Sequence, residues 1–411
     1  MSAFGAGAPD SFPDRNRPAR TDIYPHSTGP TTTTGRETKK LVVESGKDLA
    51  VHIRADRDDL AEAFGRANRG AGVKTALPTL QGVRCQTEGG QLEITGSDTE
   101  VTIRTSAKVE VIEEGAFLVP GRLITDAIRR MPEGAVTIRS QDGAIELSGN
   151  GPTFTLRLLS LEDYPKLPEP ELSGAIELDG DVLVEALSQV LVAASNDASR
   201  PILTGVLMEN YEEGLRLVAT DSYRLAIRDL PGSQMGDPAL IPARGLKELA
   251  RTVAAEQVRV AIGEREVVFA SDRGSLSIRL IEGTFPNYRQ LLPDDYPAAV
   301  ELDKDGMLEA VGRAAVVADE HIPVRLNITR DGVEMSVSRN DLGGEVEMLE
   351  ATVSGELDEL NIAFNSRYLQ DGIAAVPGER IRVEVKDSNR PSIIRADGND
   401  SFLYLLMPVR V

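Results

Sequence analysis

The sequence predicts an α+β protein made of three copies of one domain, and three observations carry that prediction. First, two separate segments recur at a single offset. Leu77-Pro-Thr-Leu-Gln-Gly-Val83 resembles Arg200-Pro-Ile-Leu-Thr-Gly-Val206, with Pro78 and Pro201 123 positions apart. Leu92-Glu-Ile-Thr-Gly-Ser-Asp98 resembles Leu215-Arg-Leu-Val-Ala-Thr-Asp221, and these aspartates are again 123 apart. A fainter third copy runs through Ile322-Pro-Val-Arg-Leu-Asn-Ile328 and Val333-Glu-Met-Ser-Val337, with Pro323 122 positions beyond Pro201. A period this long is a whole domain, not a solenoid unit. Second, each copy mixes both hydrophobic periods: helical recurrence, as at Leu183, Ala186, Leu187 and Val190, and strand-like alternation. Third, 411 residues with 41% hydrophobic content suffice for three cores at about 100–150 residues each.

The elements follow in order. Residues 1–48 carry scattered Pro and Gly, a run of threonines from Thr31 to Thr34 and no periodicity. Such a stretch cannot bury enough apolar surface to offset its ordering entropy, so a disordered tail is expected, either a dispensable extension or a partner-docking arm. Domain one spans 49–171, domain two 172–297 and domain three 298–411, with boundaries in the proline- and acid-rich stretches 168–172 and 293–299. Each domain opens with a short strand and an amphipathic helix: Asp58–Asn68, Asp181–Ala194 and Lys304–Val317. Alternating strands come next, such as Gly89–Thr95 and Val101–Val111 in the first copy. A second helix (Gly121–Met131, Ala243–Val253, Ser366–Val376) and further strands close each unit, with Gly and Pro as punctuation.

Composition bounds the function. Trp is absent and aromatics are 4%, so the cores must be aliphatic. The lone Cys85 sits in an alternating apolar run and reads as a core residue. One cysteine makes no internal disulfide, which fits a reducing compartment. No stretch reaches the ~20 apolar residues of a membrane span, and the N-terminus has no apolar export core, so a cytoplasmic protein with no membrane partner is expected. The net charge of −20 argues against nucleic acid unless the 45 Lys and Arg residues are segregated onto one surface.

No enzyme signature is present: no phosphate loop, no HExxH, no CxxC and no GxSxG elbow. His26, His52 and His321 lack ligand spacing, so no metal or cofactor is expected. Asp221 reads as a turn cap and Asp294-Asp295 as solvated loop charge. A hydrolase or transferase on a repeated α+β domain is the rival class, and no constellation supports it.

Four stretches point further: Ala219-Thr-Asp-Ser-Tyr-Arg-Leu-Ala226, Phe285-Pro-Asn-Tyr-Arg-Gln-Leu-Leu-Pro293, Phe364-Asn-Ser-Arg-Tyr-Leu369 and Tyr404-Leu-Leu-Met-Pro-Val-Arg-Val411. With the triple repeat they resemble the beta subunit of bacterial DNA polymerase III, the sliding clamp, over about residues 49–411. The resemblance implies a head-to-tail homodimer: six domains in a ring, helices inside, antiparallel sheets outside. Duplex DNA would pass through without sequence readout. The implied partners are the polymerase III alpha subunit, the clamp loader and other clamp-motif proteins. A clamp-fold module that binds partners but no longer encircles DNA is the second reading.

The resemblance also implies site residues. DNA-facing candidates are Arg66, Arg69, Lys74, Arg122, Arg129 and Arg130 in domain one, Arg244, Lys247 and Arg251 in domain two, and Arg325 in domain three. The helix at 181–194 has no basic residue, and domain three offers little beyond Lys304, Arg313 and Arg367. A partner-peptide groove would draw one half from Leu203, Thr220, Ser222, Tyr223, Arg224, Leu225, Pro286 and Leu291. The other half would come from Arg200, Ile202, Asn365, Tyr368, Arg390, Ser392, Leu405, Leu406, Met407, Pro408, Val409 and Arg410. Leu225, Leu291, Leu406 and Met407 are expected to form an apolar slot, with Arg224 and Arg410 free to orient peptide carbonyls or a carboxylate. Ser222 stands where the family commonly has glycine, Ile202 where an aromatic or small residue is common, and Val411 where leucine is usual. Those departures raise a divergent, inhibitor-resistant second clamp as a further reading.

Overall fold

The computed structural model describes residues 50–410 except Lys74, Glu213, Ser233, Ala254, Ala255, Asp294, Glu320 and His321. The expected tail, Lys74, Asp294 and His321 therefore lie outside the described residues.

The first repeat carries β1 (His52–Asp56), α1 (Arg57–Ala67), β2 (Gly82–Glu88), β3 (Gln91–Ser97), β4 (Val101–Lys108), β5 (Glu110–Glu113), β6 (Ala116–Pro120), α2 (Gly121–Arg129), β7 (Ala135–Gln141), β8 (Ala144–Ser148) and β9 (Thr153–Arg157). The second carries β10 (Ile176–Asp179), α3 (Gly180–Val190), β11 (Gly205–Tyr211), β12 (Gly214–Thr220), β13 (Arg224–Pro231), β14 (Ala239–Pro242), α4 (Ala243–Ala250), β15 (Gln257–Ile262), β16 (Glu266–Ser271) and β17 (Gly274–Arg279). The third carries β18 (Ala298–Asp303), α5 (Lys304–Ala314), β19 (Val324–Thr329), β20 (Gly332–Arg339), β21 (Gly343–Leu349), β22 (Ala351–Gly355), β23 (Glu359–Phe364), α6 (Ser366–Ala375), β24 (Arg380–Val385), β25 (Ser392–Ala396) and β26 (Asn399–Leu406).

Local chemistry sets these boundaries. Each first helix is opened by an aspartate that accepts backbone N–H bonds: Asp56 from Asp58, Asp179 from Asp181 and Val182, Asp303 from Gly306. The stripe Leu183, Ala186, Leu187 and Val190 is fully buried, as its spacing predicts. Between β7 and β8, Asp142 and Gly143 both take positive φ (49° and 74°), the conformation a two-residue hairpin turn requires. The expected single strand 101–111 is two strands. β4 ends at Lys108, and β5 leaves its sheet to pair with β1.

All ladders are antiparallel, and two of the four sheets cross repeat boundaries. The eight-stranded sheet runs β10-β15-β16-β17-β4-β3-β2-β6, joined where Leu276 of β17 faces Ile103 of β4. The nine-stranded sheet runs β14-β11-β12-β13-β26-β25-β24-β18-β22, joined at β13 and β26. The two terminal sheets, β5-β1-β7-β8-β9 and β21-β20-β19-β23, belong to single repeats. Helices pack in pairs, α1 on α2, α3 on α4 and α5 on α6, and α3 also touches α6 across a boundary. One mostly aliphatic core, which also buries Phe64 and Phe117, fills the first repeat, with Cys85 buried in it. Another runs through the second and third repeats and takes in Val101 and Ile103 of β4.

A candidate peptide groove and a candidate nucleic-acid face

The β13–β26 junction positions the groove residues, and strand alternation decides which way each points. Leu225 and Leu405 are Cα partners and share a small apolar cluster with Val218, Ile227 and Tyr288 on one face of the sheet. Leu406 is buried in the main core on the opposite face. This corrects the expected grouping: Leu406 is a core residue, and it is Leu405 that shares a face with Leu225. A loop from Leu280 to Pro293 covers this face. Its anchor is Tyr288, 1% exposed, whose hydroxyl donates to Glu209 Oε1 at 2.6 Å. Burial and then Glu209 push that hydroxyl up to about 12. Arg289 donates to the same carboxylate oxygen. Pro286 and Leu291 stand exposed on this loop, Leu291 by 46%. Leu203 is buried in the short turn Pro201–Thr204, and Ile202 is half-buried beside Gly283.

The turn between β12 and β13 holds the polar residues of the candidate groove. Asp221 accepts from Tyr223 N at 2.9 Å and Arg224 N at 3.1 Å, the capping role its sequence predicts. Thr220 Oγ1 donates to Arg224 O at 2.7 Å. Ser222 holds φ at 82°, where glycine is at ease and serine is strained. Arg200 pairs with Asp197 at 2.8 Å and reaches Asp221 O and Ser222 Oγ.

Arg224 is not free to orient a peptide. It is buried, donates to Asp221 at 3.0 Å and Asp371 at 2.6 Å, and lies 4.2 Å over the Tyr368 ring. Burial opposes its charge, but Tyr404, Asp371 and Asp221 outweigh that and raise its pKa. Tyr404 closes the network by donating to Tyr368 O at 2.9 Å. Tyr223, 58% exposed, stacks on Tyr368 with ring centroids 6.3 Å apart. Asn365 is spoken for as the cap of α6, accepting from Tyr368 N. The C-terminal segment is tied down: Met407 N donates to Tyr223 O and Val409 N to Ala363 O. Met407, Val409 and Arg410 are exposed and Pro408 half-buried. Arg390 is exposed, while Ser392 is buried with its Oγ lacking a hydrogen-bond partner. Sequence reading missed Asp371, Tyr288 and Glu209. Asp371 was within reach of it, one helical turn beyond Tyr368 on α6.

Among the described residues, the basic candidates divide into closely paired and exposed. Arg66 bonds Glu62 at 2.8 Å and is mostly covered. Arg244 pairs with Asp98 and Glu100 across the first boundary, and Arg251 with Glu248. Arg122, 93% exposed, has only a loose 3.8 Å pair with Asp126. Arg69, Arg129, Arg130, Lys247 and Arg325 are exposed. In the third repeat Arg313 pairs with Glu347 and Lys304 bonds Val376 O. No helix among the described residues is long and apolar enough to cross a membrane.

Comparison with known proteins agrees with this fold. Family models for the DNA polymerase III beta subunit match in chain order: the N-terminal domain over 51–168, the central domain over 177–287 and the C-terminal domain over 289–410. The chain is 33% identical over 376 residues to the beta sliding clamp of Streptomyces coelicolor, covering 87% of this chain and 99% of that one. It is 31% identical over 374 residues to the beta sliding clamp homolog GriR of Streptomyces muensis, covering 88% and 99%. The Bacillus subtilis DNA polymerase sliding clamp structure aligns at TM-score 0.84 and 27% identity, covering 88% and 99%. The Pseudomonas aeruginosa clamp bound to griselimycin aligns at 0.82 and 26%, covering 88% and 100%. From end to end of its three repeats, the chain belongs to the DNA polymerase III beta subunit family.

Proposed function

We propose that this chain is a non-catalytic DNA sliding clamp that closes into a ring as a head-to-tail dimer and tethers polymerases through the groove at the second boundary. The observation that carries the tethering role is the buried Leu225–Leu405 floor bordered by exposed Leu291, Tyr223 and Met407. An apolar floor with an adaptable methionine at its edge suits a peptide with paired apolar side chains.

The repeat pattern supports the ring. At each internal boundary the last strand of one repeat pairs with the fourth strand type of the repeat before it: β17 with β4, β26 with β13. The same rule leaves β9 and β21 open at the two ends. Val346 and Met348 on β21 are 67% and 62% exposed, and Val316 just beyond α5 is 84% exposed. We assign these to the closing contact with β9 of a second chain.

The test is a fluorescence titration with a Gln-Leu-x-Leu-Phe peptide together with retention on circular duplex DNA. Saturable binding lost in Leu225→Asp/Met407→Asp, plus release on linearising the DNA, supports both roles. Peptide binding without retention would favour a partner-binding module that no longer encircles DNA. The pairing of Arg66, Arg244 and Arg251 and the absence of basic residues on α3 speak for that second reading. The strained Ser222, standing where the family commonly has glycine, supports an accessory, inhibitor-resistant clamp as a further reading. Griselimycin affinity equal to that of the Streptomyces coelicolor clamp would sink the accessory reading.

A further inference from the structure

The loop that covers the groove has a second side. Between residues 281–289 and strands β11 and β14 lies a cavity of about 740 Å³, within the range of sites that take ligands or peptide segments. Its floor is apolar, formed by Leu207, Leu240 and Phe285. Leu207 and Phe285 also pack against the Leu225–Leu405 cluster, so cavity and groove share a wall.

The first repeat carries an apolar cluster at the corresponding place. There Leu80, Leu118 and Tyr164 pack with Leu159, Leu161 and Leu167. One backbone bond sets the correspondence: Leu159 N donates to Leu118 O at 2.8 Å, and Ile281 N donates to Leu240 O at 2.9 Å, both residues being 122 positions further on. The same offset puts Gly283 where Leu161 stands. Leu161, half-buried against that cluster, therefore has no side-chain counterpart in the second repeat. Gly283 also holds φ at 135°, a conformation leucine rarely adopts, so the backbone has diverged with the side chain.

The rim of the cavity is charged. Arg289 is neutralised by Glu209. Arg265 and Arg279 come from neighbouring strand ends, linked by the Leu280 N to Arg265 O bond at 2.8 Å. Both are exposed, and neither guanidinium has an ion pair among the described residues. Glu264 and Glu282 share the rim. Two exposed guanidiniums without ion pairs, on strand ends joined by that bond, can hold a carboxylate beside an aromatic or aliphatic side chain on the apolar lining.

We propose that this cavity is a second docking pocket, occupied by the segment of a partner peptide that flanks the part seated in the groove. That flank places an aromatic or aliphatic side chain on the floor and a carboxylate on Arg265 and Arg279. The inference rests on the groove reading above. Linking the two contacts makes the second one intramolecular, so affinity rises without any change in the groove.

The experiment uses the full chain and labelled peptides in fluorescence anisotropy. One peptide is Gln-Leu-x-Leu-Phe alone. Two others add Phe-Asp-Asp at one end or the other through three glycines, a spacer of about 10 Å. One extended peptide is expected to bind about tenfold tighter than the short one. Arg265→Glu/Arg279→Glu, and separately Thr284→Trp as a bulky plug, should abolish that gain and leave the short peptide's affinity unchanged. Equal affinity of all three peptides for the unaltered chain overturns the proposal, as does a gain that survives both variants. Failure of the short peptide itself overturns the groove reading, and the second pocket with it.

Discussion

Leu225 of the second repeat lies directly opposite Leu405 of the third in the β13–β26 ladder, and both point away from the core that holds Leu406. Replacing Leu405 or Leu406 by alanine therefore has two separable effects. Each change empties a buried site and costs about 2–5 kcal/mol in denaturant unfolding. Only Leu405→Ala should also weaken the Gln-Leu-x-Leu-Phe peptide, measured well below either unfolding midpoint. Equal weakening by both would mean the slot draws on both faces of the sheet.

Arg224 ties the second repeat to the third through Asp371. Arg224→Ala strands Asp221 and Asp371 without their cation and should cost about 3–5 kcal/mol. Asp371→Asn should cost less, because Asp371 is 33% exposed and water replaces part of the loss. A double-mutant cycle reads the coupling; additive losses would show that the two groups act independently.

Tyr288→Phe removes the bond to Glu209 and should cost about 1.5 kcal/mol. The pH dependence has a definite sign. The folded hydroxyl titrates at about 12, against about 10 in an unfolded chain. Its contribution is full below about pH 10 and fades as pH rises through about 12. Unfolding of the Phe variant between those values should be correspondingly less steep in pH.

Exposed, loosely held arginines and closely paired ones should differ in their effect on DNA. Arg122→Ala and Arg130→Ala are each expected to lower the slope of log K against log salt by about 1. Arg244→Ala should change it little, since Asp98 already holds that guanidinium. Equal slopes across all three variants would remove the distinction.

Val346→Asp/Met348→Asp puts charge on the open β21 edge. Sedimentation should show a single chain at concentrations where the unaltered protein is a dimer. An unchanged mass would place the closing contact elsewhere.

The repeat and the helix pairs were legible because each rests on local chemistry: a recurring Pro–Gly segment, an aspartate cap, an amphipathic stripe. The direction of Leu406 was not. Leu405 and Leu406 are both apolar and adjacent, so the run has no alternation from which to read a face, and only pairing with β13 assigns one. The engagement of Arg224 and Arg244 was equally hidden. Their carboxylate partners Asp371 and Asp98 lie 147 and 146 positions away in sequence. The break at Val109 was obscured because the odd-position alternation of Val101, Ile103, Ala107, Val109 and Val111 runs on through it, whereas the chain changes sheets there.

The ladders β17–β4 and β26–β13 cross both repeat boundaries. Cutting the connection between repeats therefore does not divide the fold. A protease that nicks the chain between Pro168 and Leu172, or near Pro293, leaves fragments that still share a continuous sheet and a common core. Such nicked material should elute as intact protein and separate only in denaturant. Repeats made one at a time, by contrast, would each present a bare strand edge to water.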